Sequence, residues 1–226
     1  ELEGLHSHYA NIEDTTDHAY ADAQHQAFAE AVETVRRAGF RPPLVHMSCS
    51  AAGILFPDRP MDLARIGISA YGFWPSAATR VSAGQDGRAH LDLTPALTWK
   101  CRVAQVKTAP AGSYIGYGCS DKAEVDIRLA VLPVGYYDGY DRGFSGRAHV
   151  LIQGRRCPVR GRICMNLLMV DVSHLPEVAV GDEVVLLGRQ GGEEIRAETL
   201  AEWAGTIHYE IVARLGAHLP RVAVQD

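Results

Sequence analysis

The spacing of apolar positions changes near Leu93. Before it, short apolar runs alternate with segments of helical period. Leu5–Ala10 predicts a short strand, and Asp14, Thr15 and Thr16 offer side chains that can cap a following helix. Phe28, Val32 and Val35 then fall at i, i+4 and i+7, one apolar stripe, and Gly39 with Pro42 and Pro43 ends the helix. Leu44–Met47 reads as a second strand, Ser48–Leu55 as a short helical turn and Leu63–Ile68 as a third strand. This order implies a parallel sheet with helical crossovers. Residues 77–92, polar and holding two glycines, predict a linker.

After Leu93 the period becomes that of strands. Leu97–Val106 alternates around Lys100 and Arg102, and Leu129–Val134, His149–Ile152, Leu167–Val172 and Glu183–Leu187 are short runs of Val, Ile and Leu. Gly146, Gly154, Pro158, Pro176, Gly181, Gly188, Gly191 and Gly192 punctuate them, which suggests a barrel or compact sandwich. Glu198–Ala204 and Ile207–Leu215 read as two closing helices, the second stopped by Gly216. The expected organisation is therefore an α/β part over 1–92, linker included, and a mostly β part over 93–226.

Composition narrows the function classes. A formal net charge of −5 disfavours nucleic acid and anionic membrane as partners. No apolar run reaches the roughly 20 residues of a membrane helix, and the first residues show no signal-peptide pattern. The five cysteines (Cys49, Cys101, Cys119, Cys157, Cys164) form no CxxC pair, so neither a disulfide framework nor a metal site is expected, and a cytoplasmic setting fits. The chain opens on Glu1 and runs directly into strand pattern, as expected of a piece of a longer protein.

Four segments carry candidate chemistry: GYGCSD (116–121), PVGYYDGYDR (133–142), GRICMN (161–166) and TIHYE (206–210). Each alone is explained by a turn, a hairpin, a strand edge or a helix face. With GLHSHYAN (4–11), HMSCSAA (46–52) and LARIGISAYG (63–72), in this order, they resemble the alanine racemases along essentially the whole chain.

That resemblance implies a fold: the C-terminal part of a pyridoxal 5'-phosphate (PLP)-binding (β/α)8 TIM-type barrel, about three of its strand–helix units, followed by a mostly β domain. It implies an activity, interconversion of L- and D-alanine by two bases on opposite faces of the cofactor-bound substrate, supplying D-alanine for peptidoglycan. The family's Schiff-base lysine would lie before Glu1. Lys100, Lys107 and Lys122 all fall in the β part and are not assigned to the cofactor. The family is homodimeric, and Tyr117 matches the base that one subunit lends to its partner's site.

For the cofactor, the resemblance points to His8 beside the pyridine ring, Arg65 on the ring nitrogen, and Ser50, the N–H groups of Gly67 and Ile68, and the Tyr209 hydroxyl on the phosphate. His6, two residues from His8 on the same strand face, is a competing ring histidine. For the substrate, Met165 offers a backbone N–H to the carboxylate and Tyr136 lines the entrance. Asn166 departs from the family, which carries aspartate there. Two alternatives stay open: a PLP-binding or assembly module without catalysis, and a racemase for serine or another small amino acid.

Overall fold

Phe28 and Val32 are buried on α1 (Ala19–Arg37), with Val35 half-buried beside them. The helix begins later than Asp14–Thr16 predict. Asp17 Oδ1 accepts the Ala19 N–H (3.0 Å), because it stands next to the first-turn donors while the earlier residues lie too far upstream. Gly39, at φ +91°, follows the helix end. This computed structural model describes residues 2–59, 61–85, 87 and 91–224. They form two units, Glu1–Ala96 and Leu97–Asp226.

In the first unit β1 (Gly4–His6) pairs in parallel with β2 (Leu44–His46), and β3 (Ser48–Cys49) with β4 (Ala64–Arg65). These strands are shorter than Leu5–Ala10 and Leu63–Ile68 suggest, since the chain leaves the sheet directly after His6 and Arg65. α2 (Ser50–Leu55) follows β3, and a 3-10 turn, Ile68–Tyr71, follows β4. Tyr9, Ile12, Ala21, Phe28, Val32, Met47, Ala51, Ala52, Leu55 and Ala83 make one buried cluster.

Where glycine content predicts a linker, Ala77–Gln85 is a helix, α3. Its small residues let it pack closely: Thr79, Ser82 and Ala83 are buried, and Ser76 Oγ accepts the Thr79 N–H (3.0 Å). Of the rest of that stretch, Asp86 and residues 88–90 lie outside the described residues.

The second unit is built on β5 (Trp99–Arg102), β6 (Gln105–Ala109), β7 (Tyr114–Ile115), β8 (Asp121–Lys122), β9 (Ile127–Leu132), β10 (His149–Ile152), β11 (Arg155–Arg160), β12 (Leu168–Asp171), β13 (Glu183–Gln190) and β14 (Glu193–Ile195). Its main sheet is antiparallel in the order β14-β13-β10-β11-β12-β9-β6, with β5 also on β13. β7 and β8 form a separate hairpin. Val184, Val185, Leu186 and Leu187 are all buried, so β13 runs through the core with both faces covered. β12 alternates buried Leu168 and Val170 with half-buried Met169 and Asp171.

Pro158, expected as a break, sits inside β11 opposite His149. The neighbouring Val159 N–H bonds Ala148 O (2.9 Å), so by alternation the Pro158 nitrogen turns away from β10 and no bond to that strand is lost. α4 (Ala197–Ala204) and α5 (His208–Ala213) close the unit.

Candidate active site

The first unit gathers its candidate residues where β1, β2 and β4 end. The Arg65 guanidinium donates to Ser7 O (2.7 Å), to His8 Nδ1 (2.9 Å) and to His46 Nδ1. An acceptor Nδ1 means that each imidazole carries its proton on Nε2. Among the described residues no carboxylate forms an ion pair with Arg65, so its charge is held by neutral acceptors. Desolvation, then Arg65, then His6 push the His46 imidazole below its ordinary value. Of the two candidate ring histidines, His8 reaches Arg65, while His6 stacks on His46 with ring centres 5.4 Å apart.

Ser50 is buried, and its Oγ accepts the N–H of Gly67 (3.1 Å) and lies 3.5 Å from the N–H of Ser69. A Cβ at Gly67 would meet nothing within 4 Å, and its φ is −106°. Neither crowding nor a left-handed backbone requires glycine there. The open side leaves room for a group approaching the backbone between Ser50 and Ile68. A hydroxyl, exposed backbone and an unneutralised guanidinium make a donor set that fits a phosphate and a ring nitrogen.

The second unit brings three glycine-bearing loops into contact. Tyr117 is 68% exposed at the tip of the β7–β8 hairpin, between Gly116 (φ +73°) and Gly118 (φ +76°). A Cβ on Gly118 would lie 2.9 Å from Arg162 Nη1, and one on Gly116 3.1 Å from Arg162 N. A Cβ on Gly161 would lie 2.5 Å from Ile115 O. Gly135 packs so tightly on the Cys164 and Met165 carbonyls that any Cβ would clash. The N–H groups of Tyr136 and Tyr137 donate to those same carbonyls at 3.1 and 3.0 Å. Tyr117, Tyr136 and Met165, all exposed, therefore stand on one loop assembly. Asn166 is exposed in the turn closed by Cys164 N–H to Leu167 O (2.8 Å).

Tyr209 is half-buried on α5, with His208 packed edge-on to its ring. The chain beyond α5 is bonded to the Tyr136 loop through Asp138. The Asp138 carboxylate accepts from Gly135 N–H (2.9 Å) and His218 Nε2 (2.8 Å), and Gly216 N–H donates to Asp138 O (3.0 Å). Sequence reasoning missed Asp138, His218, Asp121, Arg160 and Arg162, because the side-chain pairs Arg160–Asp171, Asp121–Arg160 and Asp138–His218 join positions 11 to 80 residues apart. Two of the lysines have structural contacts: Lys100 pairs with Glu183 (3.0 Å) and Lys122 lies over the Tyr114 ring.

Comparison with known proteins agrees along the whole chain. Residues 96–223 match "Alanine racemase, C-terminal domain" and residues 1–75 match "Alanine racemase, N-terminal domain". The alanine racemase of Leptospira interrogans is 40% identical over 223 residues, 99% of this chain and 57% of that protein. That of Symbiobacterium thermophilum is 43% identical over 221 residues, 98% of this chain and 56% of that protein. The Bacillus anthracis alanine racemase structure with bound L-Ala-P superposes with a TM-score of 0.88 at 33% identity, covering 100% of this chain and 56% of that one. The Streptomyces lavendulae enzyme gives a TM-score of 0.83 at 36% identity, covering 100% of this chain and 57% of that one. The chain thus spans a little over half the length of these relatives, and it belongs to the alanine racemase family.

Proposed function

We propose that this chain supplies the late barrel strands and the β domain of a PLP-dependent alanine racemase that works as a homodimer in the cytoplasm and feeds D-alanine to peptidoglycan. The observation that carries the reading is the loop assembly. It holds Tyr117 and Met165 on one glycine-packed surface, as a base and a carboxylate donor that act on one small substrate must be held. The cofactor's lysine is taken to come from the barrel portion that this chain does not span.

His8, Ser50, Arg65, Gly67, Ile68 and Tyr209 would hold PLP, which when bound would supply the electron sink that acidifies the substrate's α-carbon. Arg65 cannot give up its proton, so toward a ring nitrogen it would act only as a donor and would leave that nitrogen unprotonated. Such a donor would weaken the sink and favour return of the proton to the α-carbon over its loss elsewhere. Met165 N–H orients the carboxylate, and Tyr136 lines the approach. Tyr117 takes the α-proton of L-alanine at its phenolate oxygen. Arg162, packed on Gly118, places a guanidinium on the turn that carries Tyr117. Asn166 removes a negative charge next to Met165, which is expected to alter substrate affinity without altering the reaction.

Tyr117→Phe tests the reading in the full-length dimer, in which the rest of the barrel precedes this chain. Loss of a general base costs about 10²–10⁴-fold in rate. The expected result is that loss with PLP affinity retained and a larger α-deuterium isotope effect from L-alanine. Turnover within twofold of the parent, with both isotope effects unchanged, would remove Tyr117 from the mechanism.

A further inference from the structure

The hairpin that carries Tyr117 is not part of the main sheet. β7 and β8 pair only two residues each, Tyr114 with Lys122 and Ile115 with Asp121. A ribbon that short does not hold its own position. Its foot is anchored by apolar contact, because Ile115 and Ala123 are buried with Ala109, Ile127 and Leu129. Its tip has no apolar anchor, since residues 116–120 are all exposed.

Besides the packing of Gly116 and Gly118 on Arg162, the tip is tied by one carboxylate at its base. Asp121 accepts from Arg160 Nε and Nη2, both at 2.8 Å, a two-pronged bond, and from the Gly161 N–H at 2.7 Å. Arg160 Nη1 reaches Asp171 at 3.3 Å from β12, which fixes the guanidinium against the main sheet. All three side chains are at most one-quarter exposed. Asp121 lies four residues after Tyr117, and Gly161 opens the loop that ends at Met165. The ion pair therefore joins the hairpin that carries the proposed base to the strand that leads to the proposed carboxylate donor.

We infer that Asp121 and Arg160 are positioning residues for proton transfer at Tyr117, fixing its separation from the Met165 loop. The inference rests on the reading above for the role of Tyr117. Misplacement of a reacting group by about 1 Å costs about 10²-fold. Removing the tether should therefore slow the step served by Tyr117 while the foot of the hairpin and the main sheet stay folded.

Asp121→Ala, Arg160→Gln and, as a control that removes the same charge as Asp121→Ala from another surface ion pair, Glu183→Gln are compared in the full-length dimer with PLP bound. The expected result for the first two is a kcat about 10- to 100-fold lower, KM within threefold, and an α-deuterium isotope effect that rises from L-alanine and not from D-alanine. Glu183→Gln should leave all of these unchanged. In the chain by itself, Asp121→Ala should raise amide hydrogen exchange across residues 114–122 and leave β10 unchanged.

Turnover within twofold of the parent overturns the inference. So does a loss of rate with no isotope asymmetry, or exchange that rises equally in β10, since either is what general destabilisation gives. Tyr117→Phe run alongside separates the two failures. If it is inert, the role of Tyr117 falls. If it is slow while Asp121→Ala is not, only the positioning role falls.

Discussion

Tyr140 shows how tightly the second unit is built around its loops. Its side chain is fully buried, its ring meets Phe144 and Trp99 edge-on with centres 4.8 and 5.8 Å away, and its hydroxyl has no hydrogen-bond partner among the described residues. Burial pushes that phenol well above its ordinary value, so it stays a neutral, unsatisfied hydroxyl. A buried polar group left unpaired costs about 1–3 kcal/mol. Tyr140→Phe keeps the ring and removes the cost, so the variant is expected to melt higher, by about 2–4 °C per kcal/mol in a chain of this size. Thermal unfolding by circular dichroism measures it, and a lower melting temperature would mean that the hydroxyl has a partner in solution. Other single positions were legible from the sequence only through their neighbours. His8 and Arg65 lie 57 residues apart and meet at 2.9 Å, a contact that local spacing in the sequence cannot show.

The same contrast holds for the elements. β10 and β13 could be read from runs of Val, Ile and Leu because buried strands must be apolar. β11, sequence RRCPVR, could not: Arg155, Arg156 and Pro158 face outward and only Cys157 and Val159 are buried. The hairpin β7–β8 was equally hidden, since it is held by charge. Arg160 beside Asp121, with the Gly161 N–H, holds that carboxyl below the usual carboxylate range. A lowered folded value means that the pair's contribution is complete above the unfolded value, about 3.9, and is lost as pH falls through the folded value. Asp121→Asn removes the titrating group. The parent should therefore melt above this variant at pH 6, and the gap should close below about pH 3.9. Glu183 and Glu194, also lowered by basic partners, are common to both proteins and cancel in the difference. Melts across this range decide the matter, and a gap that is constant with pH would show that the ion pair contributes nothing to stability.

At the scale of the whole molecule, the two units differ in how their sheets are completed. In the first unit the described strands form two separate two-stranded pairs of two or three residues each. A (β/α)8 barrel gives every strand two neighbours, and these pairs have one partner each. The second unit has a continuous antiparallel sheet whose inner strands β10, β11, β12 and β9 are each bonded on both sides. Amides in such strands exchange only when much of the unit opens, whereas those of short pairs exchange by local opening. In the isolated chain the amides of Leu129–Leu132 and Val150–Ile152 are therefore expected to be far better protected than those of Leu5, His6, Val45 and His46. Hydrogen exchange read by mass spectrometry tests this, and equal protection in the two sets would refute it. Supplying the rest of the barrel should raise protection in β1 and β2 and leave β9 and β10 unchanged. That second arm separates a missing neighbour from an intrinsically weak sequence, because only a missing neighbour is cured by adding it.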